Sequence, residues 1–204
     1  MKRSFAILIA ALICSISSAT GQIYAKINAL YALVGVANPQ VEAVVAPHST
    51  MVMDLTLSPW KSVNSRHLLF GMMNWEYRYY IKGATNGFYA AANLGGVGFN
   101  INKPILFRDG KLLGFNTNYG KGFGFIVGLC AGYQYHFAER WSVDAYVGFG
   151  YMHSWYNSYQ PDGTIEMHPH GHEHYEKPDP FNISAEYMPF KAGVSIGYRI
   201  FAPR

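Results

Sequence analysis

Between Gly122 and Trp155 the residues alternate with a period of two. Phe123, Phe125, Val127, Leu129, Ala131, Tyr133 and Tyr135 occupy one set of positions, and Gly124, Ile126, Gly128, Cys130, Gly132 and Gln134 the other. After a polar break from Phe137 to Arg140 the pattern resumes, with Trp141, Val143, Ala145, Val147, Phe149 and Tyr151 set against Ser142, Asp144, Tyr146, Gly148 and Gly150. Successive side chains of a strand point to opposite faces. This stretch therefore reads as a hairpin of two long strands, with one aromatic-rich apolar face and one small or polar face. The rest of the chain repeats that unit, which excludes helical bundles and βαβ folds.

The first residues are a different kind of sequence. Lys2 and Arg3 precede an apolar run from Phe5 to Ile16, and Ser17-Ser18-Ala19 follows as a small-residue cleavage site. Residues 1–22 are therefore expected to be a signal peptide and 23–204 a single outer-membrane β-barrel domain. The apolar run is shorter than the ~20 residues a helical span requires. Cys14 follows bulky Ile13 inside that run, where lipoprotein signals carry a small residue, so lipidation is not expected. The net charge of +4 is too small to imply nucleic acid. Charged residues make up 14% of the chain, against about 25% in soluble domains. Cys130 would be the only cysteine left after processing, so stability has to come from strand pairing and packing rather than a disulfide.

Eight strands are predicted: Tyr24–Val34, Gln40–Ala46, Thr50–Ser58, His67–Ile81, Gly87–Phe99, the two of the opening hairpin, and Met188–Phe201. A bulge is expected at Gly95-Gly96-Val97-Gly98, where the phase of the fifth strand is lost. Asp109-Gly110, between two short apolar runs, reads as a type I′ turn on a small hairpin extending strands five and six. Asn157 to about Tyr187 is the longest loop. Connections after strands two, four and six are short and those after three, five and seven longer, as in outer-membrane barrels, with the short first external loop an exception. Trp141 and Tyr151 share a face ten residues apart. At ~3.3 Å per residue and a ~45° tilt they span roughly 24 Å, close to the ~25 Å apolar band of such barrels. The expected fold is all-β: an eight-stranded antiparallel up-and-down transmembrane β-barrel, with short periplasmic turns and longer external loops.

A soluble lipocalin-like ligand-binding barrel alternates too, with its apolar face inward. Its wet exterior would carry Lys and Glu, whereas the polar face here is mostly Gly, Ser, Thr and Asn, small enough for a narrow interior. The charges assigned to that interior are Lys26, Glu42, Asp54, Glu76, Arg78, Asp144, Lys191 and Arg199, four of each sign. Buried charges must be paired. An interior this narrow is filled by side chains, so a filled, ion-paired lumen is expected rather than a pore or a proton path.

Two stretches carry residue types that suit chemistry. A lipid-modifying enzyme needs Ser, His and an acid near the outer rim, and His67, His153, Ser154, Ser158 and Asp162 supply those types at a spacing that matches no motif. His168, His170, His172 and His174 alternate with Pro169, Gly171 and Glu173, with Glu166 and Glu176 flanking. In an extended segment they share one side, and imidazoles there suit Zn²⁺, Cu²⁺ or Ni²⁺. Four prolines and several glycines make a polar solvated loop the simpler reading. No catalytic residue, cofactor or metal is assigned, and no enzyme activity is expected.

Four short stretches carry a resemblance: Lys26-Ile27-Asn28-Ala29-Leu30-Tyr31, Trp75-Glu76-Tyr77-Arg78-Tyr79-Tyr80, Gly132-Tyr133-Gln134-Tyr135, and Pro189-Phe190-Lys191-Ala192-Gly193. The chain resembles an uncharacterised (DUF3575-like) family of small outer-membrane β-barrel proteins from Gram-negative anaerobes. Lys191 to Tyr198 is also similar to the terminal β-signal of outer-membrane proteins, with Phe201-Ala202-Pro203-Arg204 beyond it. The resemblance implies the cell outer membrane, lipid as surroundings, and the barrel-assembly machinery as a partner through the C-terminal strand. It also implies a surface or fimbrial protein as a further partner, and no established activity. The expected role is structural or surface interaction (adhesion or assembly).

Overall fold

The computed structural model describes residues 21–63, 66–108, 111–166 and 181–202. The expected signal peptide, the Asp109-Gly110 turn and the His168–His174 tract lie outside these, apart from Gly21 and Gln22 of the first. The order of elements is β1 (Ile23–Asn28), α1 (Ala29–Leu33), β2 (Pro39–Ala46), β3 (Ser49–Val63), β4 (Arg66–Tyr80), β5 (Gly87–Ile101), β6 (Pro104–Arg108), β7 (Lys111–Phe115), β8 (Tyr119–His136), β9 (Trp141–Tyr159) and β10 (Phe181–Phe201). Eight of the strands close into a ring in the order β1-β10-β9-β8-β5-β4-β3-β2, every pair antiparallel. The fold is all-β, as the alternation required. β6 and β7 pair with each other as a separate two-stranded sheet rather than extending the ring's ladders.

Short turns gather at one end of the ring. Residues 47–48 join β2 to β3, and 81–86 join β4 to β5 through Gly83, Thr85 and then Gly87, all at positive φ. Residues 137–140 join β8 to β9. At the other end the strands run on further than the sequence indicated. β3 and β4 pair up to Val63 and Arg66, across most of what was expected to be a loop. β10 begins at Phe181, seven residues before the expected Met188, and pairs there with Asn157.

Two expectations about local structure are corrected. The first strand ends at Asn28, because that side chain accepts from the Leu30 and Tyr31 N–H groups and caps the short helix α1. The expected bulge at Gly95–Gly98 is absent; these residues pair in unbroken register with Gly71–Asn74 and Phe123–Ile126. Gly95 is needed for room, since a Cβ there would lie 2.2 Å from Asn74 Oδ1. A bulge instead falls between Pro189 and Lys191.

The two faces of the ring differ in polarity. Among the described residues the large exposed apolar side chains include Leu129 (71%), Phe88 (64%), Leu94 and Phe149 (56% each) and Trp75. Buried inside are Lys26, Glu42, Asp54, Glu76, Arg78, Asp144 and Lys191, with Asn28, Asn74, Gln134 and Ser195.

Candidate functional site

The interior is built from alternate residues of neighbouring strands, and at the short-turn end these form one ion-pair network. Lys26 of β1 reaches Glu42 of β2, Asp144 of β9 (3.1 Å) and the Gln134 carbonyl of β8 (2.9 Å). Arg78 of β4 donates to Asp144 (2.7 Å) and to Glu76 (2.9 Å), lies 3.8 Å from Glu42, and stacks over the Tyr89 ring. Lys191 of β10 pairs with Glu76 (2.5 Å) and with Asp54 of β3. The signs alternate along Lys26, Asp144, Arg78, Glu76, Lys191 and Asp54. Three cations thus meet four carboxylates.

The sequence reading placed a fourth cation, Arg199, in this set. Arg199 is only partly buried and lies near the end of β10, opposite Tyr24, outside the network. Neutral donors hold the additional carboxylate charge instead. Thr50 (2.6 Å) and Tyr80 (2.7 Å) donate to Glu42, Tyr89 (2.9 Å) to Asp144, and Asn74 (3.1 Å) to Asp54. A buried carboxylate with several such donors is far less costly than a bare one.

Above the ion pairs the bulge of β10 turns two consecutive residues inward, Phe190 and Lys191. Lys191 joins the charges. Phe190 lies across Gly128 and Gly148, whose added Cβ atoms would meet its ring at 2.6 and 2.9 Å. With Met72, Ile126 and the adjacent Val97 and Met152 it forms an apolar layer over the network.

Beyond that layer the interior opens into a cup of about 740 Å³ at the end away from the short turns. Its apolar lining is Met152, Met188, Phe99 and Ile101. Its polar lining is Ser154, Ser158, Ser184, Asn118, Glu166 and a Lys103–Glu186 ion pair. Asn118 donates to Glu166 at 2.8 Å, and Asn182 to Ser158 at 3.3 Å. Tyr156 lies against Gly120 and Gly122, and its ring centroid is 6.3 Å from that of Phe99.

The sequence profile of a protein family of unknown function, DUF3575, matches residues 5–200. The chain belongs to the DUF3575 family. No curated protein and no solved structure matches the chain. In this DUF3575 protein the four stretches that carried the resemblance converge inside the ring. Lys26, Glu76, Arg78, Gln134 and Lys191 all belong to the network just described. Asn28 and Gly193 come from two different stretches and touch: a Cβ on Gly193 would lie 2.1 Å from Asn28 Nδ2.

The residues singled out for chemistry are not brought together. His153 lies on the outward face of β9, stacked on Phe125 and against Trp155, whereas Ser154 and Ser158 point into the cup. His67 stacks on Tyr119 at 4.1 Å. Asp162 sits in a turn and accepts from the Thr164 N–H (2.9 Å) and hydroxyl (2.7 Å), which hold its carboxyl below the ordinary carboxylate range. Cys130 is buried, with its sulfur 3.5 Å from Glu76, a packing position rather than an accessible thiol. Among the described residues no group of His, Cys, Asp and Glu is arranged to hold a metal. The cup was not legible in the sequence. The signals that could have found it are the glycines Gly120, Gly122 and Gly124 and the Pro189-Phe190 step.

Proposed function

We propose that this chain is an outer-membrane β-barrel whose interior is sealed by ion pairs and an apolar layer, and that it serves a structural or surface-interaction role rather than conducting solutes. One observation carries the reading: the charged residues are inside and the aromatic and aliphatic ones outside. In water such a surface would be an aggregation liability. In a bilayer it is the lowest-energy arrangement, and a closed ring leaves no unpaired edge over its length in lipid. The short turns then lie in the periplasm and the cup opens outward. No helix among the described residues is long and apolar enough to cross a membrane.

Lipid is the first partner on this reading. The barrel-assembly machinery is the second, through β10, and a surface or fimbrial protein at the outer end is the third. Folding into detergent tests the reading: a β-rich circular dichroism spectrum and a gel mobility that changes on boiling are expected. Liposomes carrying the protein stay impermeable to small sugars. A chain that stays soluble and monomeric without detergent, or steady conductance in a planar bilayer, defeats it.

A further inference from the structure

We propose that the cup is a binding site for an uncharged amphipathic small molecule. Its apolar body would rest on Met152, Met188 and the Phe99–Tyr156 pair, and its hydroxyl or amide groups among the serines and Asn118 of the same lining. This goes beyond the membrane reading, because the cup's walls are the same whatever surrounds the ring.

Protein interiors are close-packed, and the lower half of this one is filled by its own side chains. A cavity of about 740 Å³ above it falls in the size range of small-molecule sites. The wall is built to stay open. On the inward face of β8, positions 120 and 122 are glycine, and a Cβ at Gly122 would lie 2.0 Å from the Trp155 carbonyl and 2.6 Å from Tyr156 Cβ. Tyr156 therefore lies back against the strand and offers its ring, beside Phe99, to the cavity.

The lining is mixed, as in a binding site: apolar Met152, Met188 and Phe99 interleave with Ser154, Ser158 and Ser184. Among the described residues, the charges that line the cup are already engaged. Lys103 pairs with Glu186, which also accepts from Ser184, and Asn118 donates to Glu166. Among the described residues, a ligand charge inside the cavity meets no counter-charge that is not already engaged. Hydroxyl and amide groups find complementary neutral partners in the lining.

The test uses the full barrel in lipid nanodiscs and the uncharged probe N-phenyl-1-naphthylamine, titrated by fluorescence against empty nanodiscs. A saturable component of one probe per barrel is expected. Ser154→Trp, or Ser184→Trp should the first fail to fold, removes that component while the heat-dependent gel shift persists. The sulfonated analogue, 1-anilinonaphthalene-8-sulfonate, binds at least about tenfold more weakly, as an unpaired charge requires. Competition separates two sources of ligand: diacylglycerol in the disc displaces the probe if the bilayer supplies it, and hexyl glucoside if solution does. The proposal is overturned by no saturable component, by one that both tryptophan variants retain, by equal affinity for the sulfonate, or by a probe that neither competitor displaces. If the chain stays in water instead of entering nanodiscs, the membrane reading fails, and the same titration in buffer still decides the cup.

Discussion

Replacing Arg78 with methionine probes the interior where its charges are most closely coupled. Arg78 is fully buried and faces three carboxylates: Asp144 at 2.7 Å, Glu76 at 2.9 Å and Glu42 at 3.8 Å. Methionine keeps much of the apolar stem and removes the charge, leaving Lys26 and Lys191 against four carboxylates. Breaking a buried pair by removing one partner costs about 3–5 kcal/mol. At 1.4 kcal/mol per tenfold, that is roughly a 100- to 4000-fold loss in the folding equilibrium. Urea unfolding in lipid vesicles, followed by tryptophan fluorescence and by gel mobility, measures it. Asp144 is the shared partner of Arg78 and Lys26, so Arg78→Met combined with Asp144→Asn should cost about 0.5–3 kcal/mol less than the sum of the two single changes. An Arg78→Met barrel within about 0.5 kcal/mol of wild type would show that the network does not hold the interior together.

Three further outcomes follow from the packing, the capping and the outer turn. Gly148→Val places a Cβ 2.8 Å from Cys130 Sγ and 2.9 Å from the Phe190 ring, and should destabilise by about 1–3 kcal/mol in the same unfolding assay; no change would mean that Phe190 does not fill the interior there. Asn28→Ala removes the cap of α1 and a 3.0 Å hydrogen bond to the Tyr146 hydroxyl, and should cost about 2 kcal/mol, whereas a loss under about 0.5 kcal/mol would contradict both contacts. The Asp162 carboxyl, depressed by Thr164, contributes to its turn above the unfolded value of about 3.9 and loses that contribution as pH falls through the lower folded value. Thr164→Ala should raise its titration midpoint by NMR, and an unmoved midpoint would reject the cause assigned.

The period of two fixes which residues face inward once one strand is phased, and Lys26, Glu42, Asp54, Glu76, Arg78, Asp144 and Lys191 are all buried on the face it assigns them. Arg199 is in phase with that face but only partly buried and outside the network, because the period specifies a face and says nothing of depth. It lies where the ring ends and solvent is in reach. The first strand was overrun for a similar reason: Ala29 and Tyr31 continue the alternation, but the Asn28 side chain competes for the backbone N–H groups and turns the chain into α1. The bulge was sought at the glycines of β5, where the phase looks weak. It occurs at Pro189, whose missing N–H breaks the ladder. The cup is a property of what is absent from inward positions, and a pattern of side-chain types does not report empty volume.

The central claim is that the outward face meets lipid, and the depths of the tryptophans test it most directly. Trp75 is outward, five residues from the short-turn end of β4, which at ~3.3 Å per residue and ~45° tilt puts it about 12 Å up a ~25 Å band. Trp141 is outward at the first residue of β9, at the edge of that band. Variants keeping one tryptophan each, folded into bilayers of lipids brominated at known chain positions, report depth by quenching. Trp75 should be quenched most by bromines near the chain ends and Trp141 by those nearest the headgroups. Fluorescence from both that is indifferent to brominated lipid, or the reverse order of depth, would contradict a membrane-spanning barrel.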